Sequence, residues 1–111
     1  MSEIMKDHTK VIFVAEAESK VVGFAECYIL NSSSFPVIKK REWVHLDNIA
    51  VKREYQNYHI GSLLLNEVFE WTKCKEINRI ELKVYTFNLN ATNFYARKGF
   101  KDLNKTMYLD L

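Results

Sequence analysis

The sequence lacks any apolar run long enough to span a bilayer and has no apolar signal region near its first residue. It has two cysteines, Cys27 and Cys74, which lie far apart and match no metal-ligand spacing. They could form one disulfide, but two reduced structural thiols in a cytosolic protein are the favoured interpretation. We therefore predict a cytoplasmic protein that binds no metal and no membrane.

An excess of charge of one sign is also missing, because 16 basic and 14 acidic residues leave a formal net charge of +2 at pH 7. Binding to the phosphate backbone of nucleic acid usually needs a strong basic patch. The only basic cluster is the run Lys39-Lys40-Arg41, which is interpreted as a solvated loop end. We predict no nucleic-acid partner.

What the sequence does have is enough apolar surface for one modest core, with 111 residues of which 48% are hydrophobic. Repeats, low-complexity tracts and linkers are absent, so we predict one α/β (α+β) domain over residues 11–111. Residues 1–10 are polar and unpatterned, and we expect them to be frayed. The predicted order is β-β-β-α-β-α-β. Its strands are at residues 11–17, 21–30, 43–51, 79–85 and 107–111, and its helices at residues 60–77 and 91–98.

The third predicted strand carries polar residues in an otherwise apolar pattern. Unbroken alternation would place Trp43, His45, Asp47, Ile49 and Val51 on one face of the sheet. A carboxylate would then lie among buried side chains, where desolvation favours its neutral form.

The segment from Leu46 to Leu65 places a buried strand, a polar loop and a long helix in succession. The first N–H groups of a helix lack partners inside it, and the helix dipole adds partial positive charge there. Together these features predict an anion site suited to a phosphate or pyrophosphate. Gly61, near the helix start, would let a ligand approach the backbone or would relieve helix–sheet packing, and the sequence favours neither interpretation.

The second predicted helix follows Asn88 and Asn90, either of which can cap it. Gly99 lies where a left-handed C-terminal cap belongs, and Phe100 follows as its hydrophobic contact. On pattern alone, Tyr95 is better explained by core packing than by catalysis.

Taken together, the two segments resemble the GCN5-related N-acetyltransferase (GNAT) superfamily. The loop Gln56-Asn57-Tyr58-His59-Ile60-Gly61 resembles the family's phosphate loop, Gln/Arg-x-x-Gly-x-Gly/Ala. The strand Ile49-Ala50-Val51 resembles the strand that pairs with the pantetheine arm. The spacing Asn88-x-x-Ala91-x-x-x-Tyr95-x-x-x-Gly99-Phe100 resembles the second motif, and Val21 to Ala25 resembles the hairpin strand. The resemblance implies a single domain with a mixed, mostly antiparallel sheet.

It also implies an N-acetyltransferase that moves an acetyl group from acetyl-CoA to a primary amine of a small molecule or peptide. A backbone N–H between Ile49 and Val51 would polarise the thioester carbonyl. No metal is implied. The residues implied to contact acetyl-CoA are Ile49, Ala50, Val51, Gln56, Asn57, Tyr58, His59, Ile60, Gly61, Ser62, Asn88 and Tyr95.

The attacking amine must be neutral, so a general base is useful. Asp47 is the preferred base because it precedes the cofactor strand, and His45 and Glu26 are its rivals. The resemblance assigns protonation of the CoA thiolate to Tyr95, against the core-packing alternative. It assigns Asn88 to the pantetheine or its ordered water, against the helix-cap alternative.

The sequence departs from the family pattern at two places. His59 replaces the first loop glycine, where a positive φ would suit histidine less well than glycine and the imidazole would crowd or contact a phosphate. The family also begins with a strand and one or two helices before the hairpin, which residues 1–10 do not supply. We therefore expect either a fragment or a site that a partner subunit completes, and we predict a homodimer or a strand-swapped assembly built on a bare edge near Val11 to Val14.

Two other functional classes stay open. One is a non-catalytic CoA-binding or regulatory module that a partner subunit completes. The other is a protein-interaction domain whose exposed sheet edge pairs with another chain.

Overall fold

A computed structural model describes the backbone of residues 2–6, 9–31 and 41–111, and the side chains of residues 9–31 and 41–111. Within these ranges the strands are β1 (Ser2–Lys6), β2 (Lys10–Ala17), β3 (Lys20–Asn31), β4 (Glu42–Val51) and β5 (Ile80–Leu82). The helices are α1 (Ile60–Cys74) and α2 (Leu89–Arg97), and a 3-10 helix at Arg53–Tyr58 joins β4 to α1.

The five strands form one sheet in the order β1-β2-β3-β4-β5. The first four pair antiparallel with their neighbours, and β5 pairs parallel with β4 after the crossover through α1. The prediction of an α/β domain with a mixed, mostly antiparallel sheet is therefore confirmed.

The core lies between α1 and one face of the sheet. Because apolar residues of α1 recur at helical spacing, Leu64, Leu65, Val68 and Trp71 all point to the sheet and are buried. Each such side chain contributes about 1.5–3 kcal/mol by leaving water. The strands supply the facing residues Val11, Phe13, Val22, Ala25, Cys27, Val44 and Leu46.

The two cysteines are free, with Cys27 buried in the core and Cys74 exposed. Burial raises the pKa of the Cys27 thiol to about 12. Cys27 is therefore a protonated apolar packing group at neutral pH.

Gly23 on β3 is required by its close approach to the neighbouring strand β4 and to α1. A Cβ atom at this position would lie 2.9 Å from the Ala50 carbonyl oxygen and 3.3 Å from Leu64 Cδ1. Only glycine allows this approach without a shift of the β4 backbone.

The start of the chain differs from the expectation of fraying. Ser2–Lys6 pairs antiparallel with β2, in a register that sets Ser2 opposite Val14 and Lys6 opposite Val11. The pairing shifts register between Glu3 and Met5. A strand with such a shift does not show regular two-residue alternation in its sequence, which is why periodicity did not indicate it. The edge at Val11 to Val14, which we expected to be bare, is thus paired within the same chain.

The end of the chain also differs from expectation. Met107–Leu111, predicted as a closing strand, has no regular secondary structure, and its residues are exposed. Alternation in a sequence indicates the capacity to form a strand, but a strand needs a partner edge, and this segment lies on none of the described ones.

The remaining bounds differ by a few residues. Strand β5 stops at Leu82 instead of Tyr85, and α1 ends at Cys74 instead of Ile77. Glu76 adopts a left-handed conformation with φ of 58°, and the N–H of Ile77 turns back to the Thr72 carbonyl. A non-glycine residue in this role carries no sequence signal, which explains the overestimate of the helix.

Candidate functional site

The sheet opens between β4 and β5. The two strands pair from Val44 opposite Ile80 to Leu46 opposite Leu82, and β5 ends there while β4 continues to Val51. Over the described chain, the edge of β4 from residue 47 to residue 51 therefore has a strand partner on the β3 side alone. We call these residues the open edge of β4. Apart from the Val51 carbonyl, which accepts a hydrogen bond from the Gln56 side chain, the backbone groups on this side could pair with an extended ligand.

The segment that we predict to bind phosphate, residues 56–62 and called the phosphate loop, follows directly. The Gln56 side-chain amide donates to the Val51 carbonyl at 3.0 Å, which ties the 3-10 helix to the end of β4. Helix α1 then begins at Ile60, and no side chain caps its first turn. Its first N–H groups point away from the helix without a capping partner, as the anion-site prediction requires.

His59 has a positive φ of 60° with ψ of 21°, a left-handed conformation. This position therefore has the positive φ that a glycine in the family pattern would favour. Histidine adopts the conformation at some cost, and glycine would adopt it freely.

Gly61 has a different role from Gly23. A Cβ atom on Gly61 would meet the Phe94 ring of α2 at 3.6 and 3.9 Å, an ordinary contact distance, and no atom of the sheet within 4 Å. The interpretation that Gly61 relieves helix–sheet packing is therefore wrong. Packing among the described residues therefore leaves room for a Cβ atom at this position.

The other predicted cofactor residues lie along the same path. Ile49 and Val51 pack partly against the core, while Ala50, Asn57 and Tyr58 are exposed. Ser62 is half-buried in the first turn of α1. The structure thus brings the open edge of β4 and the phosphate loop into one continuous stretch of surface.

A β-bulge in β4 overturns the expected facing of its residues. Glu26 lies opposite Asn48 while Cys27 lies opposite Leu46, so Asp47 is an extra residue in β4. Leu46 and Ile49 consequently both turn towards the core. Asp47 does not share a face with Ile49, and its side chain is 41% exposed instead of lying among buried apolar side chains.

The bulge helps to assemble a polar cluster on the sheet, which we define as Lys10, Glu26, Tyr28, His45, Asp47 and Asn48. Its first half centres on Glu26, which lies 3.1 Å from the Lys10 ammonium and accepts a 3.2 Å hydrogen bond from the Asn48 amide. These two donors lower the pKa of the Glu26 carboxyl below its ordinary value. Glu26 is therefore held as a carboxylate and is the weaker candidate for a general base.

The second half of the polar cluster centres on Asp47. Its carboxylate accepts hydrogen bonds from the Asn48 amide at 3.2 Å and from the Tyr28 hydroxyl at 3.5 Å. His45 Nε2 lies 3.8 Å from the same carboxylate, and the imidazole packs against the Tyr28 ring at 5.3 Å. The three rival bases thus belong to one connected group.

Lys10, Tyr28 and Asn48 were not singled out as site residues from the sequence. They come from three different strands, and their proximity follows from register and from the bulge. A signal existed only for Asn48, which interrupts an apolar strand.

Tyr95 lies on α2 between two aromatic rings, with centroids 5.4 Å from Phe94 and 5.6 Å from Phe100. Burial raises the pKa of its hydroxyl, which keeps the proton on the oxygen at neutral pH. Both predicted features of the helix end are confirmed, since Gly99 has φ of 100° and the Phe100 ring packs on the Tyr95 ring at a centroid distance of 5.6 Å. The Phe100 N–H also donates to the Tyr95 carbonyl at 3.0 Å.

Asn88 caps α2, because its side-chain oxygen accepts from the Ala91 N–H at 3.2 Å. The helix-cap interpretation is confirmed. The role of Asn88 towards a cofactor stays a prediction, which its side-chain NH₂ group could still serve.

No group of three or more His, Cys, Asp or Glu side chains in the described ranges could hold a metal ion. None of the described helices is long and apolar enough to cross a membrane. The cytoplasmic location stays a prediction.

Comparison with known proteins decides the family. A sequence model of the acetyltransferase (GNAT) family matches residues 1–100. The chain belongs to this family. Among curated relatives, the uncharacterised N-acetyltransferase MJ1207 of Methanocaldococcus jannaschii is 32% identical over 99 residues, which are 89% of this chain and 42% of the relative. The chain thus spans less than half the length of that GNAT relative.

Solved structures share the GNAT fold. The tetramutant of the BH1408 protein from Bacillus halodurans matches with a TM-score of 0.85 and 25% identity, over 93% of this chain and 67% of that one. The aminoglycoside N-acetyltransferase AAC(6')-Iy in complex with CoA matches with a TM-score of 0.79 over 96% of this chain and 78% of that one. Its identity is 19%, so this likeness concerns the fold alone. The family and its named relatives support acetyl transfer as the general chemistry.

Proposed function

We propose that this GNAT chain transfers an acetyl group from acetyl-CoA to a primary amine of a small molecule or peptide. The observation that carries the proposal is the open edge of β4, which leads straight into an uncapped helix start at Ile60. In acetyl-CoA, the extended pantetheine arm would pair with the open edge of β4, and the pyrophosphate would bind at the helix start beside it.

The phosphate loop would bind the pyrophosphate through the first N–H groups of α1, helped by the helix dipole. Gly61 supports this assignment because packing among the described residues would accept a Cβ atom there. The pantetheine arm would pair with backbone groups of Ile49, Ala50 and Val51. The side chains of Asn57, Tyr58, His59 and Ser62 would border the phosphates.

The amine would attack the thioester carbonyl carbon, and the C–S bond would break to release the CoA thiolate. An N–H on the open edge of β4 would polarise the carbonyl oxygen. Asp47 would accept the proton that the amine loses, directly or through His45 at 3.8 Å. Tyr95 would donate its hydroxyl proton to the thiolate, and its raised pKa supports its protonated state before the reaction.

A non-catalytic CoA-binding or regulatory module is the second candidate function. It is favoured by His59, whose imidazole stands where the family pattern has a glycine with no side chain. Such a module would bind acetyl-CoA without releasing a thiol in the presence of amines.

The experiment combines calorimetry with acetyl-CoA and an assay of free thiol release across a panel of amines and peptides. We expect binding and amine-dependent turnover in the wild type. Tyr95→Phe removes only the hydroxyl and should lower kcat by roughly 10²-fold while cofactor affinity changes little. Binding without turnover would support the module, and the absence of binding would overturn both functions. Full turnover of Tyr95→Phe would return Tyr95 to a packing role.

A further inference from the structure

The face of the sheet opposite α1, which we call the outer face, carries an apolar region beside the polar cluster. Ala25 of β3 faces α1 within the core, so its neighbours Phe24 and Glu26 project from the outer face. Phe24 lies opposite Ala50 of β4. Glu26 lies opposite Asn48, so a polar pair follows the apolar pair about 7 Å along the strands.

An open pocket lies at this apolar region. Its volume is about 320 Å³, and residues 21–24 and 50–52 line it. A bulge in the pairing of β3 with β2 makes Val22 an extra residue, and Val21 and Phe24 on either side of the bulge are 47% and 36% exposed. A pocket of this size with exposed apolar side chains is typical of a small-ligand site.

The charges beside the pocket differ from those of the polar cluster. Lys52 is the charged residue among the described residues that line the pocket, so it would repel a second ammonium group placed there. Besides His45, the polar cluster contains the carboxylates of Glu26 and Asp47 and the ammonium group of Lys10. Its surplus negative charge favours one ammonium group from a ligand.

We propose that the acceptor is a monoamine with an apolar substituent, whose ammonium group binds at the polar cluster and whose substituent fills the pocket. This inference rests on the proposed acetyl transfer and specifies its substrate class. The pocket adjoins the open edge of β4 at Ala50 and Val51, so such an amine would lie beside the proposed path of acetyl-CoA. It would arrive protonated near neutral pH, as a lysine side chain does, and would release its proton to Asp47 before it attacks.

Phe24 and Lys52 are then the residues that determine specificity. The apolar substituent would cover the exposed ring of Phe24, which removes apolar surface of both groups from water. Lys52 would disfavour diamines and polyamines, because their second ammonium group would enter the pocket beside it.

Hexylamine and the diamine cadaverine test the selection by charge. They have the same number of non-hydrogen atoms, and a methyl group of hexylamine stands where cadaverine has its second ammonium group. We expect kcat/KM for thiol release to be about tenfold higher with hexylamine. Lys52→Glu should shift this ratio towards cadaverine by about tenfold, whatever its effect on acetyl-CoA binding, because both amines use the same cofactor. Lys73→Glu makes the same change on α1 and should leave the ratio unchanged.

Phe24→Ala tests the apolar contact. It should raise the KM for hexylamine by about tenfold and weaken hexylamine binding, measured by calorimetry on the CoA-bound protein, by a similar factor. The affinity for acetyl-CoA should not change, and Phe24→Leu should restore most of the hexylamine affinity. Leu30→Ala is the matched control, because Leu30 lies on the same strand with the same exposed fraction of 36%.

The outcomes separate this inference from the proposed function. Cadaverine that is used as efficiently as hexylamine, or a folded Phe24→Ala variant with the wild-type KM for hexylamine, would overturn the inference and leave acetyl transfer intact. The absence of thiol release with every amine would overturn both. Phenethylamine and phenylalaninamide distinguish a small-molecule acceptor from a peptide N-terminus, since the one with the higher kcat/KM identifies the source.

Discussion

The phosphate loop and the polar cluster contribute to the same proposed site by different means. The phosphate loop is one run of sequence, and it offers backbone N–H groups at the start of a helix. The polar cluster offers side chains from β2, β3 and β4, brought together by register and a bulge. Ligand binding by backbone groups should tolerate side-chain substitutions that leave space for the ligand. The activity of a cluster of hydrogen-bonded charged side chains should change with any substitution that removes one of its hydrogen bonds.

The largest effect is expected at Gly61. Gly61→Glu should weaken acetyl-CoA binding by about 10²-fold or more, because it adds bulk and negative charge where phosphate would bind and removes charge-assisted hydrogen bonds. Calorimetry on the folded variant measures the effect. Asn66→Glu adds the same charge to the exposed face of α1 and should bind normally. Unchanged affinity in Gly61→Glu would remove the phosphate loop from the site.

Asp47→Asn tests the other region. This substitution keeps the size of the side chain but removes the negative charge that Tyr28 and His45 contact. If Asp47 is the general base, kcat should fall by about 10²-fold with little change in cofactor affinity. Glu70→Gln alters an exposed carboxylate of α1 and should have full turnover. Should Asp47→Asn turn over normally, the role of the base would pass to His45.

Gly23 and Gly61 allow a comparison between a glycine that packing requires and a glycine that we propose to lie beside the ligand. Gly23→Ala should lower the free energy of unfolding by about 1–3 kcal/mol, because its Cβ would lie 2.9 Å from the Ala50 carbonyl oxygen. Gly61→Ala should fold as the wild type does and show its effect in acetyl-CoA affinity instead. Thermal melts with and without acetyl-CoA measure both quantities. A lower free energy of unfolding for Gly61→Ala than for Gly23→Ala would contradict the two roles assigned to these glycines.

His59→Gly should relieve the strained backbone of the phosphate loop. The free energy of unfolding should be unchanged or should rise by up to about 1 kcal/mol, because glycine accepts φ of 60° freely but also loosens the unfolded chain. Acetyl-CoA should bind as well or better. Much weaker binding would instead identify the imidazole as a ligand contact.

The smallest effect concerns the pH dependence of stability. Because Lys10 and Asn48 lower the pKa of Glu26, this carboxylate stabilises the folded state above the ordinary carboxyl pKa. The contribution is lost as the pH falls through the lowered pKa. Glu26→Gln should therefore have a flatter melting temperature between neutral and acidic pH than the wild type. Parallel curves would mean that the Glu26 contacts do not stabilise the fold.

Much of the fold could be predicted because its signals are local. Strands β2, β3 and β4 and the starts of both helices lie within two residues of their predicted positions. The left-handed conformation of Gly99 follows from cap chemistry over a few residues. The facing of Asp47 could not be predicted, because a bulge inserts one residue without any mark in the sequence and reverses every position beyond it.

The sequence by itself determined the fold class, the polar loop that opens α1 and the aromatic setting of Tyr95 on α2, since each depends on residues a few positions apart. Only the tertiary structure decided that Asp47, His45 and Glu26 form one cluster, that Ser2–Lys6 covers the β2 edge, and that Met107–Leu111 lies unpaired. These features depend on strand register and on which edge is free. Register and edges are set by contacts between distant parts of the chain, which local periodicity does not encode.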